Sequence, residues 1–167
     1  TQLWPQGDAW GQHDFTLKGA QGGESFNATF ASHFGEPRDA RHFTELAQWL
    51  NYDGYRAMYE STQQYRMGLL IWMSHACWPS MVWCTYDYYF EPTAAYFGVK
   101  KACEPLHIQY NPLKQSVEVV NYAGGARQEL IAKAQVLDMW GKVINEQQQP
   151  LSIGEDETLQ ALQLQLP

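Results

Sequence analysis

Near residue 106 the hydrophobic period of this chain changes, and no single type of secondary structure accommodates both sides. Upstream, Phe43, Leu46, Ala47, Leu50, Gly54, Ala57 and Met58 recur at i, i+3, i+4, i+7 spacing. That spacing places them on one face of a helix over residues 38–64. Asp39 stands where such a helix takes its N-cap, and Gly54 would permit close packing against a sheet. Downstream, the pattern has period two. Ile108 and Tyr110 flank Gln109, and Val117, Val119 and Asn121 alternate with Glu118 and Val120. Ile131, Lys133, Gln135 and Leu137 lie on one side, with Ala132, Ala134, Val136 and Asp138 on the other. Leu162, Leu164 and Leu166 alternate with Gln163 and Gln165, and Leu159 precedes them. Gly124-Gly125 and Gly141-Lys142 mark turns between these strands. Residues 107–167 therefore read as a β-sandwich.

The segment before the switch reads as α/β. Residues 68–73, GLLIWM, form a short continuous apolar run. That is how a strand buried on both faces of a parallel sheet looks. Residues 74–91 are an irregular loop rich in aromatic side chains. Pro92 suits the first turn of a following helix, which runs to residue 104 and stops before Pro105. Residues 1–40 carry Gly7, Gly11, Gly19, Gly22, Gly23 and Gly35 and read as loop, with a short helix over Asn27–Phe34. The fold class is α/β followed by all-β.

Composition narrows the partners. The chain holds 11 Lys plus Arg against 18 Asp plus Glu, for a net charge of -7. No basic stripe is present, which argues against nucleic acid. No apolar stretch reaches about 18 residues, so no transmembrane helix is expected, and no signal-peptide pattern stands at the start. Cys77, Cys84 and Cys103 form neither a disulfide framework nor a zinc pattern. The 7 Trp, 10 Tyr and 7 Phe suit either a dense core or a surface on which sugar rings stack.

The run from Gly68 to Pro112 is more specific. It contains Trp72, Trp78-Pro79-Ser80, Trp83 and Tyr86-Asp87-Tyr88-Tyr89. Tyr96-Phe97-Gly98, Lys100-Lys101 and Glu104-Pro105-Leu106-His107-Ile108-Gln109 follow in order. This run resembles the end of the catalytic barrel in glycoside hydrolase family 2, in the style of its exo-β-D-glucosaminidase and β-mannosidase-like branch. The resemblance implies that residues 1–106 are the C-terminal portion of a TIM (β/α)8 barrel: helix 7, strand 8 and helix 8. It implies that residues 107–167 are the first strands of a partial immunoglobulin-like β-sandwich. Active sites of such barrels lie at the C-terminal ends of strands, so the loop from Met73 onward would be the active-site edge.

The family hydrolyses β-glycosidic bonds with retention, using two Glu about 5 Å apart. In that layout both lie upstream of residue 1, so no catalytic residue is assigned here and no cofactor is implied. Trp72 or Trp78 would form the floor beneath a terminal sugar. His75 stands where relatives often carry Asn and would hydrogen-bond a hydroxyl, and Cys84 replaces a position often held by Gln. Trp83 and Asp87 complete the candidate substrate-binding set. Each has a plainer reading. Trp72 and Trp83 can be core, Trp78 and His75 can be structural loop residues, and Asp87 can cap or pair. Lys100 and Lys101 suit a helix C-terminus, and Cys77 and Cys103 suit small buried sites.

The chain is expected to be part of an enzyme acting on β-linked glucosamine or mannose ends of an oligosaccharide or glycoside. The alternative is a non-catalytic carbohydrate-binding or structural segment using the aromatic loop 72–90. One strand and two helices cannot close an eight-stranded barrel, and an immunoglobulin-type sandwich needs roughly 7 strands. Exposed apolar surface is therefore expected unless the remainder of the enzyme or another copy covers it. The resemblance favours a secreted or periplasmic parent.

Overall fold

The computed structural model describes residues 3–13, 23–63 and 68–164. The reading of Gly19 and Gly22 as loop, the end of the first long helix at residue 64 and the alternation at Gln165 and Leu166 fall outside them. The chain divides into two compact units, Thr1–Met58 with Leu69–Lys100 and Tyr59–Gly68 with Lys101–Pro167.

The first unit is helical. It contains α1 (Asp8–Gly11), α2 (Gly23–Phe34), most of α3 (Ala40–Gln63) and most of α4 (Ala94–Ala102). α2 starts four residues ahead of the expected Asn27, so Gly23 is helical rather than loop. α3 starts as its sequence dictates: Asp39 Oδ1 accepts the His42 backbone N–H at 2.8 Å. Arg41 and Glu45 pair one turn apart at 2.8 Å, a solvent-exposed contact of small value. The core is aromatic. Phe43 meets Trp10 and Phe30 at ring-centroid distances of 5.3 and 4.8 Å, with Trp4, Leu46, Ala47, Leu50 and Met81 packed around them.

The apolar stripe of α3 holds through Leu50 and then fails. Gly54, Ala57 and Met58 are exposed, and the buried side chain of that half is Tyr55. The cause is α4, which crosses a neighbouring face. A Cβ on Gly98 would lie 3.1 Å from the Tyr52 carbonyl carbon and 3.3 Å from the Arg56 nitrogen. Gly98 is thus the glycine that permits close approach, whereas a Cβ on Gly54 would meet nothing within 4 Å. α4 begins at Ala94, not at Pro92, because Pro92 is bridged to Tyr86. Gln48 Oε1 of α3 accepts the Ala94 N–H at 2.8 Å and so satisfies an otherwise orphaned helix donor.

Residues 68–73 form no strand. Leu70 is 97% exposed and Trp72 80%, against the expectation of burial on both faces. A strand of a parallel sheet exists only through its neighbours' hydrogen bonds, and no described strand lies beside this segment.

The second unit carries two antiparallel sheets. One has the order β1-β2-β5, from β1 (Leu106–Asn111), β2 (Ser116–Asn121) and β5 (Glu157–Gln163). The other pairs β3 (Arg127–Leu137) with β4 (Val143–Ile153). Val117, Val119, Ala132, Ile153, Leu162 and Leu164 bury one shared aliphatic cluster drawn from both sheets. The odd spacing of Leu159 and Leu162 is absorbed by a bulge: Val117 faces Leu162 while Glu118 faces Gln160.

β1 inverts the simple expectation that its apolar residues point inward. His107 and Gln109 are buried, while Ile108 and Tyr110 are exposed. Hydrogen bonds meet part of the buried polar face, though His107 Nδ1 and Gln109 Oε1 find no hydrogen-bond partner among the described residues. His107 Nε2 lies 2.8 Å from Glu60 Oε1 near the end of α3, and Gln109 Nε2 donates to Glu118 Oε2 at 3.2 Å. Lys114 Nζ reaches Glu118 Oε1 at 2.9 Å. Burial of such groups is tolerable only with partners of this kind. Asn121, fully buried, donates to Gly125 O and Gly154 O at 2.7 Å each and accepts from Gly124 N at 3.0 Å. One side chain thereby fixes two turns.

Candidate functional site: the aromatic loop after residue 73

The loop from Ser74 to Thr93 has almost no regular structure, yet side chains hold its backbone closely. Ser74 O accepts the Tyr86 N–H at 2.9 Å and the Thr85 hydroxyl at 2.9 Å. Thr93 Oγ1 donates to Cys84 O at 2.7 Å, and the Tyr55 hydroxyl donates to Trp83 O at 2.6 Å. These bonds supply the partners that a buried irregular backbone otherwise lacks. Two non-glycine residues in the left-handed region stand at its ends, Met73 at φ 61° and Phe90 at φ 65°.

The five candidate residues do not form one cluster. Trp72 lies open, so a core role is not what this structure gives it. Trp78 is 44% exposed and stacks on His13 at 5.6 Å. His13 in turn donates Nδ1–H to Pro79 O at 2.7 Å. The His75 ring stacks on Phe90 at 4.3 Å and 21°, and its Nε2 is enclosed without a hydrogen-bond partner among the described residues. Trp83 and Asp87 instead line a cavity of about 290 Å³ on the helical side, together with Trp10, Phe43, Gln48 and Asn51. Trp72, His75 and Trp78 do not line it.

Asp87 has a structural task. Its Oδ1 accepts the N–H groups of Tyr89 and Glu91 at 2.8 and 2.9 Å, closing the turn Asp87–Glu91. The loop's other carboxylate residue, Glu91, closes the same turn through its backbone. Cys77 and Cys103 are exposed rather than buried, and Cys84 is buried. Burial pushes the Cys84 thiol up from its ordinary range, which disfavours a thiolate nucleophile. Among the described residues no group of three His, Cys, Asp or Glu side chains could hold a metal ion.

His13, Phe90, Gln48 and Tyr55 escaped sequence reasoning. His13 meets the loop from 66 residues away in sequence, and nothing local signals that contact. Phe90 looked like one more ring in an aromatic run. Its left-handed backbone was the missing clue, and a Phe there gives no glycine-type signal.

With this geometry in view, the chain is similar to glycosidases of family 2, on the exo-β-D-glucosaminidase and β-mannosidase side. The exo-β-D-glucosaminidase of Hypocrea jecorina is 31% identical over 128 residues, covering 71% of the chain and 14% of that relative. The mannosylglycoprotein endo-β-mannosidase of Lilium longiflorum is 33% identical over 113 residues, covering 65% of the chain and 12% of the relative. The crystal structure of the Amycolatopsis orientalis exo-chitosanase matches with TM-score 0.78 at 30% identity, over 86% of this chain and 18% of that one. A β-D-mannosidase from Dictyoglomus thermophilum, at 22% identity and TM-score 0.67, shares the fold. The chain thus spans 12–14% of the length of these curated relatives. No protein-family model matches it.

Proposed function

We propose that this chain is a segment of a retaining exo-β-glycosidase of family 2 that acts at β-linked glucosamine or mannose ends. The observation that carries the reading is the similarity to exo-β-D-glucosaminidases at about 30% identity, which runs through the aromatic loop and into the strands beyond it. The order of α3, the apolar run 68–73 and α4 supports residues 1–106 as the end of a (β/α)8 barrel. The shared cluster of two sheets supports residues 107–167 as the opening strands of an immunoglobulin-like sandwich.

In this reading Trp72, His75 and Trp78 form one wall of the sugar pocket. An open indole at the end of a barrel strand offers the flat apolar face on which a pyranose stacks. Asp87 and Trp83 support that wall from behind. The two catalytic carboxylates belong to other parts of the parent enzyme, whose mass also covers Leu70. A secreted or periplasmic location suits such an enzyme.

The test is hydrolysis of p-nitrophenyl β-D-glucosaminide and β-D-mannoside by the full-length protein that carries this chain. Turnover of one of them, absent from the isolated chain, is expected. A full-length protein inert on both overturns the reading. Chitosan oligosaccharides bound by the isolated chain, with shifts at Trp72 to Trp78 and no full-length turnover, would replace it with a non-catalytic binding segment.

A further inference from the structure

We propose that Phe90 is a positioning residue that fixes the His75 imidazole for a sugar hydroxyl; the inference rests on the sugar-wall reading of His75. It starts from two turns built alike. In Asp87–Glu91 the Asp87 N–H donates to Glu91 O at 3.0 Å, and Phe90 N–H donates to Asp87 O at 3.2 Å. In Asp138–Lys142 the Asp138 N–H donates to Lys142 O at 2.9 Å, and Gly141 N–H to Asp138 O at 3.0 Å. In both, the aspartate Oδ1 accepts from the second and fourth residues after it. The fourth position of each turn is left-handed, at φ 65° for Phe90 and φ 82° for Gly141.

The turns differ at that one demanding position. Gly141 meets it without strain, whereas a Phe carries a Cβ that this backbone region disfavours. The turn chemistry therefore does not call for Phe90. What Phe90 does is place its ring flat on His75, at 4.3 Å and 21°. A histidine used for recognition ordinarily has its second nitrogen held by a hydrogen bond. Here the enclosed His75 Nε2 has no such partner among the described residues. Stacking takes over the orienting task, and the left-handed backbone is what turns the Phe90 ring toward His75.

The experiment compares Phe90→Gly, Phe90→Tyr and His75→Ala in the full-length protein, with NMR of the His75 ring nitrogens in the chain. Phe90→Gly is expected to leave thermal stability unchanged or raised, because glycine suits the turn. It is expected to replace one fixed set of His75 ring signals by averaged ones. It should also lower kcat/KM on the glycoside by about tenfold, since small misplacements of a binding group are costly. Phe90→Tyr keeps the ring and should retain both signals and rate. If His75→Ala impairs turnover while Phe90→Gly leaves the ring signals and the rate as they were, the positioning role is wrong and the sugar-wall reading survives. If His75→Ala turns over substrate normally, the sugar-wall reading of His75 fails and takes the positioning role with it.

Discussion

The strand unit and the irregular loop of the helical unit satisfy their backbones in different proportions. In the strand unit the ladders of β1-β2-β5 and β3-β4 pair main chain with main chain, and side chains are left to fill an aliphatic cluster. In the helical unit the loop 74–93 has only isolated main-chain bonds, such as Tyr86 N–H to Ser74 O, and side chains of Tyr55, Thr85, Asp87 and Thr93 add further bonds to its backbone. A ladder tolerates the loss of any one side chain, while a loop pinned residue by residue does not. That arrangement leaves the loop free to present Trp78 and Tyr89 to solvent, as a recognition surface requires.

The sharpest way to break this contrast is Phe43→Ala. Emptying the site between Trp10 and Phe30 should cost about 3–5 kcal/mol. Hydrogen exchange should show α2 and the first half of α3 losing protection ahead of the strands. Equal loss in β1 to β5 would mean that the units are not energetically distinct. Next is Asn121→Ala, in the strand unit, where one buried side chain holds the main chain of two turns. Leaving its buried partners unpaired should cost about 2–3 kcal/mol, read as a lower denaturant midpoint with faster exchange at residues 122–126. A cost near zero would show that the ladder suffices there. Tyr55→Phe removes a single hydroxyl bond to Trp83 O and should cost about 1 kcal/mol, with loosening near residue 83 visible in tryptophan fluorescence.

The smallest expected effect is electrostatic. A hydrogen bond from Lys101, at 2.9 Å, is the largest cause holding the Glu104 carboxyl below its ordinary value of 4.5, and His107 adds to it. Its contribution is therefore complete above that ordinary value and disappears as acid titrates it through the lower folded one. Because the pair is open to solvent, it should amount to less than about 1 kcal/mol. The stability difference between wild type and Glu104→Gln should be constant above about pH 5 and shrink in more acidic buffer. A difference that grew on acidification would contradict the assignment.

Much of this architecture was written in periodicity. The helix expected over 38–64, the change to strands near Leu106 and the turns at Gly124 and Gly141 are local patterns; the structure has the helix as Ala40–Gln63, and the strand start and the two turns where the pattern puts them. Three things were not local. The second half of α3 turns Tyr55 inward because α4 crosses at Gly98, a contact between segments over 40 residues apart in number. β1 buries His107 and Gln109 because Glu60 and Glu118 are there to meet them. The run 68–73 is composed for burial among neighbouring strands, and composition cannot say whether those neighbours are present. At the site, the residue types of the loop were legible. The split that sends Trp83 and Asp87 to the cavity, and leaves Trp72, His75 and Trp78 outside it, was set by backbone turns that no spacing rule encodes.

The distribution of thiols has a practical consequence. Cys77 in the helical unit and Cys103 in the strand unit are both open, while Cys84 is sealed. The native sequence thus offers one attachment point per unit with no engineering. Local desolvation pushes the Cys103 thiol up even though the residue has open surface, so its alkylation should accelerate as the buffer is made more alkaline. A donor and an acceptor dye coupled in sequence would turn the chain into its own ruler, able to record whether engaging a sugar changes the separation of its two parts.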